Sequence, residues 1–95
     1  MIVYKGGTVR HQITLKDLDG KPLTPDSQEW MFYDPDKKLD RTETNPVEAG
    51  EGVYYVDHTV PSTGKAGKWR LVVKVTKGNV VGINVFTFQV EDPLA

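Results

Sequence analysis

Turn-forming residues recur along this 95-residue chain roughly every ten positions. Gly, Pro, Asn and Asp cluster at these points, and each favours chain reversal through its own backbone preference. The clusters lie at 6–7, 19–22, 24–27, 34–36, 50–52, 61–67 and 77–79. Most of the runs between them alternate apolar and polar residues, which is the period of a strand with one buried face. The spacing therefore predicts about seven short strands.

The kinds of hydrophobic residue favour the same fold class. Val, Ile, Thr, Tyr, Phe and Trp occupy 34 of the 95 positions, whereas Ala occupies three. β-Branched and aromatic side chains pack well on a pleated sheet, while a helical bundle is rich in Ala, Leu, Glu and Lys. A chain of this length forms one domain. We therefore predict a single all-β domain over residues 1–95, a β-sandwich of about seven short strands, with a closed barrel as the main alternative.

Three segments carry particular expectations. In 68–76, Trp69, Leu71 and Val73 share a face and should point into the core. The polar segment 38–47 is expected to be a short edge strand or a loop. In 80–91 the apolar positions change parity, which predicts a bulge near 84–86 or a strand that changes sheets. The aromatic side chains are expected to form the core: Trp30, Phe32, Tyr54, Tyr55, Trp69, Phe86 and Phe88.

Several classes of function are disfavoured by composition. The chain has no cysteine, so it forms neither disulfides nor thiolate metal sites. A net charge of −1 argues against a protein that coats nucleic acid. No apolar run is long enough for a membrane helix, and the first residues do not resemble a signal peptide. We expect no cofactor, no nucleic-acid or membrane partner and no small-molecule ligand.

Candidate catalytic and metal-binding groups are weak. Ser62 and Lys65 fit an S-x-x-K pattern, but they lie in a Gly-rich turn rather than at the start of a helix. His11 and His58 lack partners at the spacing of metal ligands. Asp17 and Asp19 precede a Gly, as in a calcium loop, although a turn that uses their side chains explains them as well. We predict no catalytic residue, and whether the two aspartates bind a cation stays open.

Charge is distributed unevenly along the chain. Residues 1–57 carry a net charge of −4, whereas 58–90 carry five basic and no acidic side chains. A charged face of this kind suits docking on a protein surface or self-association, and a solvated sheet face is the plainer alternative. The residues predicted to bind protein lie on one strand and the loop before it: Lys65, Lys68, Arg70, Val72 and Lys74.

Four short motifs carry a family resemblance that extends over most of the chain. They read DLDGKP at 17–22, GEGVYY at 50–55, GKWRLV at 67–72 and FTFQV at 86–90. In order and spacing they resemble the small immunoglobulin-like modules of bacterial surface proteins and of tailed-phage virion proteins. The resemblance implies an immunoglobulin-like β-sandwich of about seven mostly antiparallel strands, and a non-enzymatic protein with no shared catalytic set.

Two functions are compatible with that resemblance. A chain that starts with Met and has no export signal or anchor favours a phage or prophage virion accessory protein, made in the host cytoplasm. Such a protein would stabilise a capsid or tail lattice by binding to it, or would self-associate. The alternative is a carbohydrate-binding or adhesion module of a bacterial surface protein.

Overall fold

The computed structural model describes residues 2–94, and every regular element in that range is a strand. The strands are β1 (Ile2–Tyr4), β2 (Thr8–Thr14), β3 (Ser27–Tyr33), β4 (Leu39–Glu43), β5 (Val47–Gly50), β6 (Val53–Thr59), β7 (Gly67–Lys77) and β8 (Val80–Glu91). Met1 and Ala95, the end residues of the predicted domain, lie outside the described residues.

The strands form two sheets of unequal size. One has five strands in the order β1-β8-β7-β3-β4, and the other has three in the order β2-β6-β5. All strand pairs in the described range are antiparallel except β1 with β8. The two apolar faces pack against each other, as in a β-sandwich. The predicted all-β sandwich of mostly antiparallel strands is confirmed.

Eight strands form where about seven were predicted. The segment 38–47 contains β4 and the start of β5, separated by a short turn that ends at Pro46. The three-residue strand β1 has no counterpart in the sequence pattern, because its position depends on pairing with β8, which is more than eighty residues away. A strand this short is specified by its partner rather than by its own periodicity.

Both alternatives predicted for 80–91, a bulge near 84–86 and a strand that changes sheets, are wrong. Residues 67–77 pair with 80–90 without any shift of register. The change in parity has a different cause. Val81, Ile83 and Val85 lie on the outer face of the five-stranded sheet and are exposed, whereas the apolar residues that follow turn inward with the opposite parity. The strand is regular, and it carries apolar residues on both of its faces.

The core lies between the sheets and is mainly aromatic and β-branched. Trp69, Leu71 and Val73 are almost fully buried, as predicted. The buried hydrophobic residues are Val3, Leu15, Trp30, Phe32, Tyr54, Val56, Val60, Trp69, Leu71, Val73, Val75, Phe88 and Val90. The prediction for the aromatic residues is wrong at two positions. Tyr55 lies on the outside of the small sheet beneath Arg10, and Phe86 is 42% exposed because no strand covers it.

Two histidines from the small sheet lie inside this core. The imidazole of His58 stacks on Phe32 with a centroid distance of 4.1 Å, and its Nε2 lies 2.9 Å from a carboxylate oxygen of Asp40. His11 packs against Phe32 and Phe88. One nitrogen of each ring, Nε2 of His11 and Nδ1 of His58, finds no hydrogen-bond partner among the described residues. Protonation of either ring would leave an N–H donor without a partner in the core, which disfavours the charged form.

Burial has the largest effect on the pKa values of His11 and His58. Burial, with a smaller contribution from the neighbouring His58, lowers the pKa of His11 to about 4. Burial lowers the pKa of His58 as well, although the hydrogen bond to Asp40 opposes that effect. An unfolded histidine titrates near pH 6.5, so the unfolded chain binds more protons than the folded chain as the pH falls below that value. The stability conferred by the neutral rings is complete above about pH 6.5 and is lost progressively towards about pH 4.

We predict that the free energy of unfolding falls by about 2 kcal/mol or more between pH 7.5 and pH 5, because that interval includes most of the His11 shift but little carboxylate titration. Urea unfolding followed by tryptophan fluorescence measures it. His11→Leu should reduce the fall by at least about 1 kcal/mol, since the variant lacks the titrating ring. Equal stability at the two pH values would contradict the prediction.

Candidate protein-interaction surface

The predicted binding residues lie on one side of the molecule. Lys68, Arg70, Val72 and Lys74 alternate along β7, and all four point to the outer face of the five-stranded sheet, away from the core. Lys65 lies in the loop that leads into β7. That loop is held against the core, because the indole nitrogen of the buried Trp69 donates a 2.8 Å hydrogen bond to the Lys65 carbonyl.

An apolar row crosses the middle of this face. Val72 pairs with Met31 of β3 on one side and with Val85 of β8 on the other. Further along β8, Ile83 and Val81 are 63% and 52% exposed. The face therefore combines a hydrophobic centre with basic side chains around it. This composition is typical of a surface that binds protein.

The fold brings acidic residues towards the basic strand. Glu29 of β3 lies directly opposite Lys74 of β7. Lys65 forms an ion pair with Asp36, and Lys77 lies 3.7 Å from Asp26. The charges that are segregated along the chain are therefore partly interleaved in space. The reason is topological, because β3 comes from the acidic half of the sequence and β7 from the basic half.

The ion pair between Lys65 and Asp36 shows how an acidic residue neutralises a basic one on this side of the molecule. The hydrogen bond between the two side chains raises the pKa of Lys65 and lowers that of Asp36. Both groups remain charged at neutral pH and neutralise each other locally. Lys68, Arg70 and Lys74 form no ion pair with any residue that the structure describes. Lys68 and Arg70 are therefore available to a partner, whereas Glu29 opposite Lys74 partly offsets the charge of that lysine.

The weak chemical motifs have structural roles. Asp17 accepts hydrogen bonds from the backbone nitrogens of Asp19 and Lys21, at 2.9 and 3.0 Å, so its carboxylate closes a turn. The histidines lie in the core. Among residues 2–94, no group of three or more His, Asp or Glu side chains is placed to hold a metal ion. The same residues contain no helix long and apolar enough to cross a membrane.

Comparison with known proteins points to one bacterial family of large proteins. No family model matches the chain. The chain is 30% identical over 90 residues to alpha-2-macroglobulin of Xylella fastidiosa (strain 9a5c); the match includes 92% of this chain and 5% of that protein. It also superposes on alpha-2-macroglobulin of Salmonella reacted with methylamine (TM-score 0.75, 26% identity) and on the trypsin-activated Escherichia coli protein (TM-score 0.75, 25% identity).

Those superpositions include 96% of this chain but only 6% of each solved chain. The chain therefore spans about a twentieth of the relatives that it matches, which is the length of one domain. At 15% identity it also resembles the Lin-41 filamin domain (TM-score 0.64) and part of an endo-β-1,4-mannanase from Thermotoga petrophila (TM-score 0.69), and these likenesses show the fold alone. The fold is Ig-like and resembles a domain of bacterial alpha-2-macroglobulin.

The sequence did not indicate the exposed apolar half of β8. The signal was present in the parity change at 80–90: the residues from Val80 to Thr87 are exposed on both faces of the strand, whereas Phe88 and Val90 are buried. Alternation identifies a strand with one buried face, and it cannot distinguish a strand segment that is exposed on both faces from a strand with a bulge.

We predict that replacing a lysine of β7 with glutamate lowers the melting temperature more at position 74 than at position 68. Lys74→Glu places a carboxylate opposite Glu29, whereas Lys68→Glu places one opposite the neutral Gln89. The first variant should therefore melt about 3 °C below the second, because like charges directly opposite each other on a sheet repel. High salt should reduce the difference. Equal melting temperatures at low salt would contradict the interleaved arrangement.

Proposed function

We propose that this chain is a non-catalytic, protein-binding Ig-like module of an alpha-2-macroglobulin-type protein, and that it packs against neighbouring protein through the outer face of its five-stranded sheet. The observation that carries this proposal is the extent of the match, since nearly the whole chain corresponds to one domain-length part of a much larger protein. A domain within a large chain contacts its neighbours through interfaces that resemble those between separate proteins.

The outer face supplies the contacts in this proposal. Val72 and the apolar residues beside it provide the area that loses water on binding, and Lys68, Arg70 and Lys74 provide charges that select an acidic partner surface. Lys65 contributes less, because Asp36 already neutralises it. Charge selection of this kind weakens as the ionic strength rises.

The two functions considered from the sequence receive unequal support. The relatives named above are bacterial alpha-2-macroglobulins, which favours the bacterial surface-protein alternative over the virion accessory protein. Binding to a capsid or tail lattice, and localisation in a virion, remain untested predictions. Trp30 and Trp69 are at most 1% exposed, so neither indole can stack on a sugar ring.

A domain replacement tests the proposed function. In the Escherichia coli alpha-2-macroglobulin, the matching domain is exchanged for residues 2–94 of this chain, and a control chimera carries the Lin-41 filamin domain at the same place. The first chimera should fold and still pass from its native to its trypsin-activated form, as measured by sedimentation. The control should fail, because its fold is similar but only 15% of its matched residues are identical to those of this chain.

The same chimera tests the outer face. Val72→Asp puts a charge into the centre of the apolar row and should weaken the chimera's response to trypsin, while Gln12→Glu, on the outside of the small sheet, should not. If the chimera with this chain behaves no better than the filamin control, the proposed function is wrong. If Val72→Asp has no effect, the outer face is not the binding surface.

A further inference from the structure

Most strand edges of this fold carry features that prevent pairing with another chain. In β4 three of the five residues are charged, namely Asp40, Arg41 and Glu43. The strand β5 has only four residues, follows Pro46 and has an irregular register. The edge strand β2 contains Arg10, whose side chain pairs with Asp57. Charge, proline, shortness and irregularity are the usual protections of a sheet edge.

The strand β8 has none of these protections along most of its length. Among residues 2–94, its outer edge pairs with β1 at Gln89–Glu91, and no described strand pairs with the backbone edge of Val80–Phe88. No charged residue occurs from Gly78 to Val90. Every residue from Val80 to Thr87 is exposed, and the register with β7 is regular throughout. A long, regular, uncharged and apolar edge is a template for another strand.

We propose that this edge pairs with the same edge of a second copy of the chain, antiparallel and about a two-fold axis at Asn84. The open segment Val80–Phe88 has Asn84 at its centre, so two copies that use the whole open edge meet in that register. The pairing ends where β1 begins on each copy. The two five-stranded sheets would join into one sheet of ten strands, with both small sheets on the same side.

The side chains are self-complementary in this register. Gly82 lies opposite the partner's Phe86, and the space beside Gly82 is empty in the free chain, so a phenyl ring fits there. On the outer face, Ile83 lies opposite the partner's Val85, which is a favourable pair of β-branched residues. At the axis, the amides of the two Asn84 side chains can each donate to the other's carbonyl oxygen.

A second copy fits this edge better than an unrelated strand. The contact is isologous, so the uncharged segment meets an equally uncharged segment, and no like charges oppose each other. The pairing covers Val80, Val81, Ile83, Val85 and Phe86, which are between 42% and 70% exposed in the single chain. A strand of about nine residues is a small interface, so the dimer should dissociate on dilution.

The test is the oligomeric state of the isolated chain, measured by analytical ultracentrifugation over about a hundredfold range of concentration. Wild type should be a reversible dimer. Asn84→Asp keeps the size of an exposed side chain but places two carboxylates about 5 Å apart at the axis, so it should weaken association about a hundredfold or more. Gln12→Glu makes the same charge change on the outside of the small sheet, and it should dimerise like wild type.

Disulfide cross-linking tests the register in which the two copies of β8 pair. The chain has no cysteine, so Asn84→Cys introduces a single thiol. Directly opposed residues of antiparallel strands have Cα atoms about 4.5–5.5 Å apart, within the range of a disulfide, and mild oxidation should convert the variant to a covalent dimer. Gln12→Cys should cross-link far more slowly.

Three results would overturn the proposal. The first is a wild-type chain that stays monomeric at every concentration. In that case any strand that pairs with this edge would come from a different protein. The second is a dimer that Asn84→Asp does not weaken. The third is an Asn84→Cys variant that cross-links no faster than Gln12→Cys. Failure of the domain replacement affects none of these outcomes, because the chimera does not report on pairing between isolated copies.

Discussion

The unequal size of the two sheets determines which strands of this protein are buried and which are left exposed. Three strands cover a five-stranded sheet, so the small sheet buries the central strands and leaves part of β8 uncovered. Val73 in β7 is fully buried, whereas its cross-strand neighbour Asn84 in β8 is exposed. The boundary of the core therefore runs between two adjacent strands of one sheet. Inside it the side chains are buried and mainly aromatic or β-branched, and outside it an apolar segment of β8 is left exposed.

Charge affects stability in the core of this protein more than it does on the surface. In the core, burial keeps His11 and His58 neutral and makes stability depend on pH. On the surface, ion pairs such as Lys65–Asp36 are exposed to water and contribute little to stability. The surface charges matter instead for the choice of partner, because those that lack an acidic neighbour are available to a second protein.

Sequence periodicity was a good guide where one face of a strand is buried. It identified β7 and its inward residues Trp69, Leu71 and Val73, because alternation there reports burial directly. It failed for β1, whose three residues are specified by a distant partner, and for β8, where exposure on both faces imitates a bulge. The basic residues of β7 were also found from sequence, but the acidic residues beside them depend on strand order, which periodicity does not contain.

Amide hydrogen exchange along β8, measured at low and high protein concentration, tests the uncovered edge most directly. In Val80–Phe88, alternate backbone amides point towards β7 and should be protected at both concentrations. The amides between them point to the open edge. They should exchange rapidly in dilute protein and become protected in concentrated protein. Rapid exchange of the same amides at both concentrations would contradict pairing through this edge.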